Sequence, residues 1–190
     1  MIRLNNVSLA FGSRAIFDNV SLHIRRNDRI GLIGPNGTGK STLFKLICRL
    51  TEPGEGDLVF AKDTSIGYLP QEGFVFKKKT IFDEASSAFD NVLHLKSQID
   101  KIHTKLEDQS IQGEDHELLL DQYAHLQHQF EVVNGAKVDK ETGKVLKGMG
   151  FKESDFGKNI DTFSGGWQMR VALSRLLLQD PNLLLLDEPT

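Results

Sequence analysis

The stretch Gly34-Pro35-Asn36-Gly37-Thr38-Gly39-Lys40-Ser41 is the most informative part of this 190-residue chain. It follows the apolar run 29–33 and precedes a helical pattern over 42–50, so the predicted local order is strand, glycine-rich loop, helix. This spacing lets successive backbone N–H groups curl around an oligophosphate, because glycine adopts backbone angles that a Cβ forbids. Lys40 is placed to reach the β- and γ-phosphates, and Ser41 offers its hydroxyl to Mg²⁺. We therefore predict an oligophosphate and Mg²⁺ site here.

Upstream of this loop, the chain predicts an antiparallel hairpin. Residues 2–11 and 15–24 alternate apolar and polar side chains, with a short turn between them. Phe11 ends the first strand. Its ring either lies against a nucleobase or is an ordinary aromatic of an edge strand, and the residues alone leave both interpretations open.

Downstream of the loop helix, a turn at 52–56 precedes short strands predicted at 57–61 and 65–69. Gln71 stands at the end of the second of these strands, just after Pro70. Its amide could lie near a Mg²⁺ or an attacking water, and it could equally be a plain loop residue.

The end of the sequence predicts a buried strand that finishes in acids. Four consecutive leucines at 183–186 do not alternate with polar residues, which is typical of a central parallel strand buried on both faces. Asp187 follows at the carboxyl end, where a carboxylate can hold Mg²⁺ through water. Glu188 is then placed to polarise the water that attacks the γ-phosphate.

A second anion-binding element precedes the amphipathic helix predicted at 171–179. Ser164, Gly165 and Gly166 supply a hydroxyl, free backbone N–H groups and a helix start, with no side chains in the way. Because the chain already has its own phosphate loop, this element is best explained if it serves a nucleotide held by another domain of the same kind.

The segment 88–134 differs in charge from the rest of the chain. It has three lysines and nine acids, a net charge of −6, so the remainder is −3 − (−6) = +3. Its apolar residues step by three and four, which predicts two helices folded back as an antiparallel coiled-coil arm with a polar turn at 107–115. The two predicted seams are Val92, Leu95, Ile99, Ile102, Leu106 and Leu119, Tyr123, Leu126, Phe130, Val133. An arm of this kind suits contact with a partner.

Composition restricts the remaining possibilities. The chain is long enough for one core, and its longest apolar runs are too short to cross a bilayer. The N-terminus lacks the regions of a signal peptide, and Cys48 is the only cysteine, so we expect the reducing cytoplasm. A net charge of −3 gives no global attraction to nucleic acid or anionic lipid.

Taken together, these motifs resemble the ATP-binding cassette superfamily over essentially the whole chain. They occur in the family's order: the phosphate loop through Thr42, then Gln71, then Ser164 to Gly166, then the strand ending in Asp187-Glu188. The resemblance implies an α/β P-loop nucleotide-binding domain with an N-terminal antiparallel β subdomain, a mostly parallel core sheet and an inserted antiparallel helical arm. It divides the chain into a cassette core at 1–87, the arm at 88–134, and the signature helix with the Walker B strand at 135–190.

The resemblance also implies a role for each candidate residue. ATP would be held by Phe11, stacked on adenine, and by Gly34, Pro35, Asn36, Gly37, Thr38, Gly39, Lys40, Ser41 and Thr42. Mg²⁺ would be held by Ser41, Gln71 and Asp187, and hydrolysis would use Glu188 and Gln71. Ser164, Gly165 and Gly166 would close on the ATP of a facing cassette.

Trp167, where transporter subunits usually have glutamine, and the helical arm resemble the ABC-F group of soluble tandem-cassette ATPases. That group implies a second cassette on the same polypeptide, no transmembrane partner, and ATP-gated action on the ribosome, with contacts to rRNA, ribosomal proteins or tRNA. Since the sequence stops just after the Walker B element, we interpret it as an N-terminal fragment that hydrolyses ATP weakly or not at all by itself. Two alternatives remain: the ATPase subunit of a membrane transporter, and a DNA-associated ATPase with a coiled-coil insertion.

Overall fold

The computed structural model describes residues 1–71, 76, 79–108 and 112–189. The chain divides into two compact units. The first unit contains Met1–Gly73 and Asp180–Thr190, and the second contains Phe74–Gln179. Among the described residues, no helix combines the length and the apolar character needed to cross a membrane.

The first unit contains a three-stranded antiparallel sheet with the strand order β2-β1-β3. The strands are β1 (Ile2–Phe11), β2 (Arg14–Ile24) and β3 (Glu55–Phe60). Ile2 pairs with Ile24 on one side and with Phe60 on the other. The predicted hairpin is therefore confirmed, and β3 is added on the other side of β1.

A parallel pair completes the sheets of the first unit. Strand β4 (Ile66–Leu69) pairs with β5 (Leu183–Leu186), in a register that runs from Ile66 opposite Leu183 to Leu69 opposite Leu186. Helix α1 (Lys40–Ile47) contributes buried residues to the same core. The buried members of this core are Ile2, Leu4, Val7, Leu9, Ile24, Leu46, Ile47 and Leu185.

Two expectations for the parallel sheet were wrong. Residues 29–33 do not form a strand, and Ile33 is 96% exposed. Strand β5 is not covered on both faces, because Leu185 is its only buried leucine. A central parallel strand has hydrogen-bonding neighbours at both edges and is covered on both faces. Among the described residues β5 pairs with β4 alone, and an open space of about 290 Å³ separates it from residues 30–32.

The second unit is built on three helices packed around a shared core. These are α2 (Ile81–Ser86), α5 (Val138–Gly148) and α6 (Gly165–Leu178). Short 3₁₀ turns lie at 87–89, 135–137, 153–155 and 160–162. The buried apolar members of the core are Ile81, Ala85, Leu146, Phe151, Ile160 and Val171.

Polar contacts fix the ends and the interior of this bundle. The Thr80 hydroxyl accepts a hydrogen bond from the Asp83 N–H at 3.1 Å, which caps α2. The buried carboxylate of Glu84 accepts from Arg175 at 2.8 Å and lies 3.3 Å from the Lys79 ammonium. An ion pair to Arg175 therefore links α2 to α6.

The segment predicted as an arm forms two helices that pack together. They are α3 (Asp90–Leu106) and α4 (Glu114–Val132). Ile99 is buried in the predicted seam, and the His103 and Tyr123 rings lie 6.1 Å apart across it. The predicted turn at 107–115 lies partly outside the described residues, at 109–111. The supercoil and the domain boundaries at 88 and 134 stay predictions.

Candidate nucleotide-binding site

The glycine-rich loop has the backbone that its sequence requires. Gly37 and Gly39 adopt φ angles of +80° and +99°, a region that side chains other than glycine rarely occupy. A Cβ on Gly39 would stand 2.7 Å from Cγ2 of Ile16 and 3.2 Å from the ring of Phe17. Gly39 is therefore fixed both by its conformation and by the close approach of β2.

The loop also holds itself closed through its own side chains. The Lys40 ammonium donates to the carbonyl oxygens of Gly34 at 2.8 Å and Pro35 at 3.2 Å. The Thr38 hydroxyl donates to the same Pro35 carbonyl at 2.8 Å. Because Lys40 is the first residue of α1, its ammonium and the positive end of the helix lie at the same place.

A cavity of about 370 Å³ opens on this loop. Its volume is in the range of small-molecule and cofactor sites. It brings together most of the residues predicted for nucleotide binding, and the side chain of Phe11 is 56% exposed beside it. The cavity is lined by Phe11, Ile16, Asn36, Gly37, Gly39, Lys40, Ser41, Thr42, Gln71 and Glu188.

Gln71 and Glu188 meet at one side of the cavity. The amide nitrogen of Gln71 donates to Oε2 of Glu188 at 2.6 Å. Glu188 has a φ of +51°, an uncommon conformation for a residue with a side chain and one that clusters at functional sites. The two residues expected to work on the attacking water are therefore in direct contact.

Asp187 lies beside this pair but faces a different space. Its side chain is buried, and its Oδ2 accepts a hydrogen bond of 3.4 Å from the Tyr68 hydroxyl. Burial, followed by the nearby charge of Asp187, raises the pKa of Tyr68. Asp187 lines the 290 Å³ gap beside β5, whereas Ser41 and Gln71 line the cavity at the loop.

The predicted metal-binding residues fit Mg²⁺ in their chemistry. Ser41 offers a hydroxyl, Asp187 a carboxylate and Gln71 an amide oxygen, and Mg²⁺ prefers such oxygen ligands. The Gln71 amide nitrogen already donates to Glu188, which leaves the amide oxygen for a cation. The donor set therefore suits Mg²⁺ bound to a nucleotide.

The second predicted anion site lies in the second unit, at the start of α6. Ser164 is the N-cap residue, and its hydroxyl makes no capping hydrogen bond. Gly165 and Gly166 are exposed, and a Cβ on either would meet nothing within 4 Å. The element is thus open to a ligand that approaches from outside.

Sequence reasoning missed three residues around the site. Arg14, assigned only to a turn, donates to the Gly37 carbonyl at 2.9 Å, and Ile16 limits the space at Gly39. Tyr68 contacts Asp187. The only sequence feature that could have indicated these three residues is that they lie close to Phe11 or Gln71 in the chain.

Comparison with known proteins identifies the family. The family model described as ABC transporter matches residues 17–190. The chain therefore belongs to the ATP-binding cassette family.

Curated relatives agree with the narrower resemblance. ABC transporter F family member 5 of Arabidopsis thaliana is 34% identical over 194 residues, and F family member 2 of the same plant is 32% identical over 190. The tylosin resistance ATP-binding protein TlrC of Streptomyces fradiae is 32% identical over 193 residues. Each alignment covers 100% of this chain but only 28%, 28% and 34% of the respective relative. The resemblance to the ABC-F group is confirmed, and the chain spans about a third of these relatives.

Solved structures confirm the fold. The dimeric cassette MJ0796, in a post-hydrolysis state bound to ADP and Pi, superposes with a TM-score of 0.64 at 23% identity. The match covers 100% of this chain and 75% of that one. The α/β P-loop cassette predicted from the sequence is the fold of this protein.

Proposed function

We propose that the full-length protein binds ATP with Mg²⁺ at the cavity on the glycine-rich loop. The observation that carries this proposal is the shared cavity, in which Lys40, Ser41 and Phe11 lie around one space of about 370 Å³. Lys40 exchanges its loop carbonyls for the β- and γ-phosphates, and Phe11 stacks on the adenine. Gly34 to Thr42 supply the backbone N–H groups that surround the phosphate chain.

Hydrolysis to ADP and phosphate uses the two residues in contact beside that space. Glu188 accepts a proton from the attacking water, and Gln71 orients the Glu188 carboxylate through its amide. Bound Mg²⁺ would neutralise charge on the β- and γ-phosphates, held by Ser41, Gln71 and, through water, Asp187.

A second cassette completes the site. The exposed Ser164, Gly165 and Gly166 at the start of α6 present a hydroxyl and free N–H groups to a nucleotide held elsewhere. We place that second cassette on the same polypeptide, and ATP clamps the two together. The greater length of the matched relatives supports this arrangement.

The coupled process is ribosome binding and translation control in the cytoplasm, without a transmembrane partner. We base it on the resemblance to the ABC-F group and on the packed helices α3 and α4, which we assign to an inserted arm at 88–134. The cassette core at 1–87 and the signature and Walker B region at 135–190 flank that arm. The partners are rRNA, ribosomal proteins and tRNA.

The decisive experiment is sedimentation of full-length protein carrying Glu188→Gln and its counterpart in a second cassette. This change keeps the shape of the side chain but removes the base, so ATP stays bound and the cassettes stay closed. We expect comigration with ribosomes in ATP and release in ADP. Protein free of ribosomes in ATP, with recovery in membranes, would contradict the proposal and favour a transporter subunit.

The polypeptide 1–190 by itself should bind ATP weakly and hydrolyse it slowly. Ile30, Leu32 and Ile33 are exposed beside the phosphate loop, so the wall that supports the loop is incomplete. Comparing ATP affinity between this polypeptide and the full-length protein tests the expectation.

A further inference from the structure

A groove in the second unit takes no part in the proposed ATP reaction. Its volume is about 570 Å³, and it is formed by α2, by one face of α5 and by the segment after α5. Its lining residues are Phe82, Asp139, Lys140, Gly143, Lys144, Lys147, Glu153 and Phe156.

Two aromatic rings form the apolar part of the groove. The ring centroids of Phe82 and Phe156 are 5.9 Å apart, with the ring planes inclined at 34°. Both side chains are half-buried, since they pack against the core of the unit and also line the groove. Such a surface suits a planar ring that stacks on the two phenyl rings, such as a nucleobase. Stacking of this kind does not depend on which base is present.

A row of lysines forms the wall beside these rings. Lys140, Lys144 and Lys147 are spaced i, i+4 and i+7, so they share one face of α5 over roughly 10 Å of helix. Lys140 has no ion-pair partner among the described residues, and Lys144, which is 76% exposed, pairs there only with Glu141, at 3.9 Å. Lys147 pairs with Glu153 across the groove.

The surrounding charge differs from that of the arm. Residues 137–158 have six lysines and four acids, whereas 88–134 have three lysines and nine acids. The row of cations therefore lies in the more basic part of the second unit, and it matches a ligand with repeated negative charges.

Gly143 is a residue that neither helix propensity nor close packing explains. It lies in the interior of α5, where glycine is less stable than alanine. A Cβ there would lie 3.6 Å from Cε2 of Phe156, an ordinary contact, so packing does not require glycine. A methyl group would instead narrow the groove over the ring of Phe156, which explains the glycine if something lies on that ring.

One acid of the groove, Asp139, offers an acceptor for a ribose hydroxyl. The side chain of Asp139 has no hydrogen-bond or ion-pair partner among the described residues, and it lines the groove beside Lys140. A free carboxylate can accept a hydrogen bond from a 2′-hydroxyl, the group that distinguishes RNA from DNA.

We propose that this groove binds an unpaired stretch of RNA, with a base stacked on Phe82 and Phe156 and the backbone phosphates along Lys140, Lys144 and Lys147. This inference goes beyond the proposed ATP reaction, and it rests on the proposed function in that RNA is among the partners proposed there. It uses residues of the second unit only and requires no nucleotide at the phosphate loop.

The first test measures binding of a fluorescently labelled, mixed-sequence single-stranded RNA octamer to the full-length protein without ATP. In the double variant Lys140→Gln/Lys144→Gln, we expect affinity at low salt to fall about tenfold. A plot of the logarithm of the RNA-binding constant against the logarithm of the salt concentration has a negative slope. The magnitude of this slope should decrease by about 1.4, since each phosphate contact on a single strand contributes about 0.7. Lys96→Gln, on α3 and outside the groove, is the matched control and should bind as the unaltered protein does.

The second test uses Gly143→Ala, which separates binding from folding. Alanine should raise the melting temperature by favouring α5, yet weaken RNA binding about fivefold by filling the groove. Asp139→Asn should reduce the preference for the RNA octamer over the DNA octamer of the same sequence.

The proposal is overturned if both the lysine pair and Gly143→Ala leave RNA affinity unchanged. It is equally overturned if duplex RNA binds more tightly than the single strand, or if an acidic aromatic peptide binds in the groove and the octamer does not. Binding of a fluorescent ATP analogue is measured in parallel and should be the same in all these variants. Loss of the ATP function therefore cannot be mistaken for loss of the RNA site.

Discussion

The side-chain amide of Gln71 donates a hydrogen bond of 2.6 Å to the carboxylate of Glu188, although the two residues are 117 positions apart in the chain. The parallel register of β4 and β5, which sets Leu69 opposite Leu186, brings the strand ends together and explains the contact. The two groups proposed to act on water are thus positioned by the sheet.

Replacing Gln71 by alanine should reduce kcat for ATP hydrolysis about 100-fold in the full-length protein, with a smaller change in KM. The reason is that Glu188 loses the amide that orients it, and a positioned acid or base contributes at least this much. Steady-state ATPase assays measure the effect, and an unchanged kcat would contradict the assignment.

Gln71→Glu extends that test through pH. It places two carboxylates side by side, so activity should be low at neutral pH and should recover partly as the pH falls and one of them is protonated. A flat pH profile would show that the two side chains do not interact in the working enzyme.

Gly39→Ala should abolish ATP binding and destabilise the fold by about 1–3 kcal/mol, because the residue has φ +99° and its Cβ would approach Ile16 to 2.7 Å. Isothermal titration with ATP and denaturant unfolding measure the two effects. Gly157→Ala is the control, since nothing lies within 4 Å of a Cβ there, and it should leave ATP binding unaltered.

Arg14→Ala should weaken ATP binding about three- to tenfold, the effect of losing one hydrogen bond worth about 0.5–1.5 kcal/mol. Arg14 donates to the Gly37 carbonyl at 2.9 Å and so supports the loop, although it does not line the cavity. Melting temperature should hardly change, because the contact is exposed. Equal ATP affinity in the variant and the unaltered protein would show that the loop keeps its shape unaided.

The sequence predicted individual helices, strands and turns better than it predicted which strands pair with one another. The phosphate loop, the hairpin and the two helices after residue 88 each depend on local spacing, and the structure contains all of them. The strand expected at 29–33 is absent, because a strand forms only with partners, and these are set by distant parts of the chain.

The same limit applies to the site. Local motifs predicted Lys40 and Glu188, but the roles of Arg14 and Tyr68 depend on contacts across 23 and 119 positions. No spacing rule reports such contacts.

Tyr68 predicts a change in stability at high pH. Burial, followed by the charge of Asp187, raises the pKa of Tyr68, so the folded protein holds this proton more tightly than the unfolded chain does. The resulting stabilisation is complete below pH of about 10, the ordinary tyrosine value, and is lost as pH rises through the folded pKa. Tyr68→Phe should therefore flatten the fall in melting temperature above about pH 10.

The measurement for Tyr68 is thermal unfolding across alkaline pH, with tyrosinate absorbance recorded in the same samples. The chain has two tyrosines, so Tyr123→Phe is the matched control and leaves Tyr68 as the only titrating phenol. If Tyr68→Phe and Tyr123→Phe show the same alkaline loss of stability, the contact with Asp187 does not govern it.

The hydrogen bonds from the Lys40 ammonium to the Gly34 and Pro35 carbonyls have a consequence for which nucleotides the loop selects. Without a ligand, the ammonium already donates hydrogen bonds to these two neutral carbonyls. A ligand must therefore offer stronger hydrogen-bond acceptors to displace them. A triphosphate would do so with a cluster of anionic oxygens, whereas in the proposed binding mode a nucleoside monophosphate would not reach the ammonium. We therefore expect the loop to discriminate against short nucleotides, because Lys40 would stay bound to the two carbonyls when such a ligand is present.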